Sequence, residues 1–137
     1  MHMKGDPRTM QLEPMAATAV EEIGEYFDER ISTFIAAGLN RDSLCLDPGI
    51  GFGKTLEQTL QQLKRLSEYR RFHLPICLGV SRKGFLGQIT GRARPDRLAG
   101  SLAIACFAVA QGAAQILRVH DVAATRDAVL LWEAINV

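Results

Sequence analysis

Three times along this chain a short apolar run stops at a polar residue, a loop follows, and a helix-spaced stretch comes next. The runs are Leu44 to Leu46, Leu74 to Val80 (LPICLGV) and Ile116 to Val119, and they stop at Asp47, Ser81 and His120. Each unit is roughly 35–40 residues long, and strictly alternating βα units dictate a parallel sheet. LPICLGV is almost continuously apolar, as a parallel strand covered on both faces must be. Four amphipathic helices are expected from residues recurring at helical spacing. The first carries Ala16, Val20, Ile23, Phe27, Ile31, Phe34 and Ile35 and is stopped by Gly38 and Asn40. The second carries Leu56, Leu60, Leu63 and Leu66, the third Leu98, Leu102, Cys106, Val109 and Ala113, and the last Ala124, Ala128, Leu131 and Ile135. This pattern suits either an open doubly wound sheet or a (β/α)₈ barrel. A whole barrel needs about 250 residues. The 137 residues here would supply roughly half, the last four units, if Met1-His2-Met3 is the stub of a strand before the loop KGDPRTM. The expectation is a single partial barrel domain over residues 1–137.

Bulk properties narrow the partners. The chain is 47% hydrophobic and 23% charged with a formal net charge of +1, which leaves no basic footprint for nucleic acid. No apolar run reaches the roughly 18 residues of a membrane span, and no signal-peptide pattern opens the sequence. Cys45, Cys77 and Cys106 sit in apolar segments and read as reduced core fillers of a cytosolic protein. Their spacing relative to the three histidines does not make a zinc site.

The stretch CLDPGIGFGKT, Cys45 to Thr55, ends like a nucleotide-binding P-loop. The spacing refuses that reading: counting back from Gly53 to the required first glycine lands on Pro48, which has no N–H to donate. Gly49, Gly51 and Gly53 alternate, so the dinucleotide pattern fails as well. Gly-Lys-Thr reads instead as the start of the next helix. Asp47, at a strand end, can accept two N–H bonds from the edge of a heterocycle, or it can cap the following turn. Phe52, between two glycines, is either a core plug or a stacking face.

Polar side chains gather at the other strand ends too. The first loop holds His2, Lys4 and Arg8, the third reads GVSRKGF (Gly79 to Phe85), and the fourth reads RVHDV (Arg118 to Val122). Arg118 and His120 differ by two and so point to one face of their strand. Lys83, Arg118 and His120 together suit an anion, because barrels commonly bind phosphate with the loops after their last two strands. The plainer alternative is that Arg118 pairs with Asp121 or Asp127 and His120 is a capped core residue.

Four segments, MHMKGDPRTMQ, LDPGIGFGKT, LGVSRKGFLG and ILRVHDV, occur in this order and together resemble the dihydropteroate synthase family of bacterial folate synthesis. The resemblance runs from Met1 to about Ile135 and implies the carboxyl-terminal half of a TIM (β/α)₈ barrel. It implies a cytoplasmic transferase, a sulfonamide target, that joins 4-aminobenzoate to 6-hydroxymethyl-7,8-dihydropterin diphosphate and releases diphosphate. By the same resemblance, Asp47 would hold the pterin edge and Lys83 would contact the pterin and shape the aminobenzoate pocket. Arg118 would lie over the pterin and reach the diphosphate, His120 would bind the diphosphate, and Phe52, Ser81 and Gly84 would line the aminobenzoate side. Lys83 and Arg118 are the residues expected to carry catalysis.

The sequence departs from the family at Gly84, where several members carry a serine, and at Lys4 and Asp6. Mg²⁺ is implied as cofactor, with its main ligand in the amino-terminal half of the family's barrel. A half-sheet has two open edges, a liability that pairing relieves. The expected partner is therefore a second copy or an amino-terminal half, and no nucleic acid or membrane. Two other readings stay open: a non-catalytic half-barrel that dimerises, and a pterin-binding methyltransferase domain. SRKGF with RVHDV favours the synthase.

Overall fold

The computed structural model describes residues 1–5 and 19–136. Arg8, Asp6 and Ala16 lie outside the described residues. Among the described residues the helices are α1 (Ala19–Ala36), α2 (Leu56–Lys64), α3 (Gly84–Thr90), α4 (Leu98–Ala110) and α5 (Val122–Asn136). The short strands among these residues are β1 (Cys77–Leu78) and β2 (Ile116–Leu117), and 3₁₀ turns span Arg41–Ser43, Leu66–Phe72 and Arg94–Asp96.

The apolar runs do lie side by side and parallel, but the ladder is much shorter than the runs. β1 pairs with β2 in parallel, Cys77 opposite Ile116 and Leu78 opposite Leu117. Leu46 bridges to Ile76, also in parallel. The His2 N–H donates to the Asp47 carbonyl at 2.8 Å, so Met1-His2-Met3 adds a single rung on the far side. The segments therefore run in chain order across the sheet, each connected by helices, and the ends marked by Asp47, Ser81 and His120 stand together at one rim.

One face of this sheet is the core. Leu46, Ile76, Leu78 and Val80 are buried with Ile23, Phe27 and Ile31 of α1 and with Leu63, Leu66, Tyr69 and Phe72. Phe27 meets Tyr69 and Phe72 edge-on, at 5.6 and 5.7 Å between ring centres, a favoured aromatic geometry. The opposite face carries Cys45, Cys77 and Ile116, which alternate with the buried residues. Cys45 is exposed, Cys77 and Cys106 are partly exposed, and all three are free thiols. They are not the core fillers the sequence suggested: Cys45 and Cys77 occupy the sheet face turned away from the helices.

Helix ends follow local chemistry. Gly38 has φ +89°, and the Gly38 and Leu39 N–H groups donate to Ile35 O and Phe34 O. This is a Schellman end, and glycine suits its left-handed residue. Asn40 does not stop α1; it caps the 3₁₀ turn at Arg41–Ser43. α2 ends at Lys64, and Leu66 falls in the next 3₁₀ turn.

Several apolar stripes are rotated from expectation. α4 buries Ser101, Ala105 and Ala108 rather than Leu98, Leu102, Cys106 and Val109. An all-round apolar helix has no stripe to read, and small residues let it approach its neighbours closely. α5 buries Thr125, while Leu131 and Ile135 are 67% and 80% exposed. Phe34, Ile35 and Leu60 are exposed as well. Among the described residues no helix is long and apolar enough to cross a membrane.

Candidate active site

The alternating glycines after Asp47 have a steric reason. Gly49, Gly51 and Gly53 all take positive φ, +63°, +77° and +65°. At Gly49 an added Cβ would lie 1.8 Å from His2 O, and at Gly53 one would lie 2.8 Å from Lys4 O. The backbone of the first segment packs directly on these two positions, and only glycine fits.

Asp47 is buried. Its Oδ1 accepts the Gly49 N–H at 2.8 Å, which is the turn-capping arrangement. Its Oδ2 accepts from Arg118 Nη2 at 2.7 Å. Arg118 does not pair with Asp121, whose carboxylate is taken by Arg82. The guanidinium lies against Gly79, where an added Cβ would sit 2.8 Å from Arg118 Nη2. His120 is exposed; its backbone N–H donates to Ser81 Oγ at 3.2 Å, and its Nδ1 lies 3.0 Å from the same oxygen. His120 is therefore not a core residue.

Lys83 leads into α3 and turns its Nζ toward the glycine loop, where it donates to Ile50 O. The ammonium stands 4.1 Å from the centre of the Phe52 ring, a cation–π contact. Phe52 is thus a half-exposed ring face, not a core plug. Burial lowers the Lys83 ammonium to about 8; Arg118 pushes the same way and Asp47 opposes.

Two clefts meet at this pair. One, about 340 Å³, is lined by Phe52, Gly79, Ser81, Lys83, Arg118 and His120, among others. The other, about 350 Å³, runs past Phe52, Lys83, Gly84, Phe85 and Gln88. Phe52 and Lys83 form the ridge between them. Phe52, Ser81, Lys83, Gly84, Arg118 and His120 stand together at this rim, with Asp47 beneath Arg118.

Sequence reading missed the residues that hold the rim in shape. Lys54 does not simply begin α2. It is buried, and its Nζ donates to Gly49 O (2.8 Å) and Phe52 O (2.9 Å) and lies 3.3 Å from His2 Nδ1. Burial, with Lys83 nearby, lowers it to about 8. Thr55 is the residue that starts the helix: its Oγ accepts the Gln58 N–H while Gln58 Oε1 accepts the Thr55 N–H. That capping box, Thr-x-x-Gln, was legible in the sequence. Gln62, fully buried, donates to Pro48 O at 2.8 Å and ties α2 to the loop.

His2 gives a pH-dependent test of this packing. Burial lowers its pKa from 6.5 to about 4, with Lys54 pushing the same way. The unfolded chain therefore binds the proton more readily than the folded one. His2 should cost no stability above about pH 6.5 and should remove about 2 kcal/mol as pH falls toward 4.5. Denaturant unfolding across that window should show this slope, and His2→Gln should flatten it. Equal slopes in both chains would mean that the buried imidazole is not the source.

Comparison with known proteins agrees with the geometry. A family model described as Pterin binding enzyme matches residues 1–120. Dihydropteroate synthase of Escherichia coli K12 is 45% identical over 134 residues, 98% of this chain and 47% of that protein. The Haemophilus influenzae dihydropteroate synthase is 40% identical, over 98% of this chain and 48% of its own length. The chain spans about half the length of the curated relatives it matches. The crystal structure of Yersinia pestis dihydropteroate synthase with a sulfonamide drug complex superposes with a TM-score of 0.95 at 43% identity, covering 99% of this chain and 49% of that one. The Xanthomonas albilineans dihydropteroate synthase with 4-aminobenzoic acid gives 0.91 at 39% identity, covering 99% and 48%. The parallel segments and their helices are the carboxyl-terminal half of a TIM (β/α)₈ barrel, the architecture of these neighbours. A half-barrel also explains the open face that carries Cys45 and Ile116, because that face is the barrel interior. The chain belongs to the pterin-binding enzyme family.

Proposed function

We propose that residues 1–137 form one partial barrel domain carrying half of a dihydropteroate synthase active site. The reaction joins the amine of 4-aminobenzoate to the methylene of 6-hydroxymethyl-7,8-dihydropterin diphosphate. The C–O bond to diphosphate breaks, a C–N bond forms, and the arylamine loses a proton. The observation that carries this reading is the rim itself: Asp47, Phe52, Ser81, Lys83, Arg118 and His120 converge from three strand ends around two clefts that share Phe52 and Lys83.

In this reading Asp47 accepts from the donor edge of the pterin. Its Oδ2 is engaged by Arg118, so the entering heterocycle takes the guanidinium's place. Arg118, thus released, lies over the pterin and reaches the diphosphate, which His120 also binds. Lys83 contacts the pterin and stands at the ridge toward aminobenzoate, whose side is lined by Phe52, Ser81 and Gly84. The chain's contribution to lowering the barrier is preorganised positive charge where the leaving diphosphate gathers negative charge. It needs no nucleophile. A sulfonamide would occupy the aminobenzoate side, in keeping with the drug-bound relative.

Magnesium would accompany the diphosphate. Among the described residues no group of three or more His, Cys, Asp or Glu side chains stands together to hold a metal ion. Its protein ligand belongs to the other half of the barrel, and no step assigned to this chain passes through it. The proposed setting is the cytoplasm, and the proposed partner is an amino-terminal half or a second copy that closes the sheet. The open interior face also suits a second reading, a non-catalytic half-barrel that dimerises through it.

Arg118→Ala tests the assignment. Titration calorimetry should show inorganic pyrophosphate binding weakened by roughly tenfold or more, the scale of one charged hydrogen bond. Binding of pterin alone should change less, because its competitor for Asp47 is gone. Equal losses for both ligands would contradict the role given to Arg118.

A further inference from the structure

The rim contains an ion pair to which the reaction gives no part. Arg82 Nε and Nη2 fork onto Asp121 Oδ2 and Oδ1 at 2.8 and 2.7 Å. Both side chains are about three-quarters shielded. A two-pronged fork of this kind fixes orientation as well as distance.

Its place in the register is informative. β1 and β2 pair residues 39 apart, Cys77 with Ile116 and Leu78 with Leu117. The last backbone bond of the ladder runs from Arg118 N to Leu78 O. Beyond it the strands separate, yet the same offset continues in side chains. Ser81 meets His120 and Arg82 meets Asp121, each pair again 39 apart. These two rungs extend the sheet's register into the loops that bear Lys83 and His120.

The Arg82 backbone is held for this contact. Its φ is +56°, a left-handed conformation that is strained for a non-glycine residue. Three bonds secure it. The Arg82 N–H donates to Ser101 Oγ at 2.8 Å, and Arg97 Nη1 donates to Arg82 O and Lys83 O at 3.2 and 3.3 Å. Asp121 is anchored from its own side, since its carbonyl accepts from the Thr125 N–H and hydroxyl at the start of α5. Arg82 is thus fixed to α4 and Asp121 to α5, and the fork locks one loop to the other.

We propose that Arg82 and Asp121 are a positioning pair: their bidentate contact keeps the Lys83 loop in register with the His120 loop, and so sets His120 against Ser81 for anion binding. The anion part rests on the synthase reading above. The pair itself does not, and the test separates them.

A double-mutant cycle on the full chain uses Arg82→Ala, Asp121→Ala and the double variant, with Arg82→Lys as the conservative change. The first readout is hydrogen exchange at the His120 amide, whose donor bond to Ser81 reports the register without any ligand. Each alanine variant should speed it by about tenfold, and the double variant should be no worse than either single, as for residues acting as a unit. Arg82→Lys, which keeps the charge but loses the fork, should restore it only in part. The second readout is affinity for inorganic pyrophosphate, which should fall and fail to add in the same way. A purely structural role would lower the melting temperature and leave both readouts within about twofold of the parent. That result, or additive losses, overturns the pair. If the parent chain binds no pyrophosphate while His120 exchange follows the cycle, the pair stands and the diphosphate assignment falls.

Discussion

Gly49→Ala should cost this chain at least about 3 kcal/mol of folding stability, more than any other single methyl at the rim. Two terms add. The backbone sits at φ +63°, which costs an L-residue about 1–2 kcal/mol. The new Cβ would then lie 1.8 Å from His2 O, closer than any non-bonded contact. The first segment must move off Asp47, which breaks the His2–Asp47 rung and disturbs the contact between His2 and Lys54. Gly51→Ala is the internal control. Its φ is +77°, but the nearest atom to its Cβ would be Lys83 Cδ at 3.8 Å. It should cost only the backbone term. Denaturant unfolding of both variants separates strain from collision, and equal losses would refute the packing argument.

Asp47→Ala should weaken binding of a pterin by roughly 100-fold, since two charged hydrogen bonds at a buried carboxylate are lost together. Alanine also removes the acceptor for the Gly49 N–H and the partner of Arg118. Asp47→Asn distinguishes recognition from folding. The amide oxygen can still accept from Gly49 and keep the turn, so stability should change by only about 1 kcal/mol. The edge is then no longer a double acceptor, and pterin affinity should fall nearly as far as in the alanine variant. Calorimetry with pterin and a denaturant series read the two effects separately. Parent-like pterin affinity in Asp47→Asn would remove Asp47 from the binding role.

What was legible in the sequence was the alternation of apolar runs and helix-spaced stretches, because burial on both faces of a parallel strand leaves few polar residues. The strand ends at Asp47, Ser81 and His120 followed directly, and they are the rim. What was not legible has particular causes. α4 is apolar on all sides, so periodicity could not show that Ser101, Ala105 and Ala108 face inward. Cys45 looked like core because its neighbours Leu44 and Leu46 are apolar, but alternation puts it on the interior face of a half-barrel. Lys54 looked like the first residue of a helix, and only the folded loop shows its Nζ turned back onto two carbonyls. The Arg118–Asp47 and Arg82–Asp121 pairs join residues 71 and 39 apart. Charge alone permitted Arg118 to choose Asp121 instead; the register of β1 against β2 decides it.

The most direct test of the proposed role is whether this rim supports synthesis when the rest of the barrel is supplied. The measurement is dihydropteroate formation from dihydropterin diphosphate and 4-aminobenzoate. The chain would be assembled with a separately expressed amino-terminal half of a relative, assembly being verified by light scattering. Turnover is expected in the assembled pair and should fall roughly 100-fold or more with Lys83→Ala in this chain, the usual scale for losing one preorganised charge at the reacting centre. An assembled complex with no turnover, or turnover indifferent to Lys83→Ala, would contradict it.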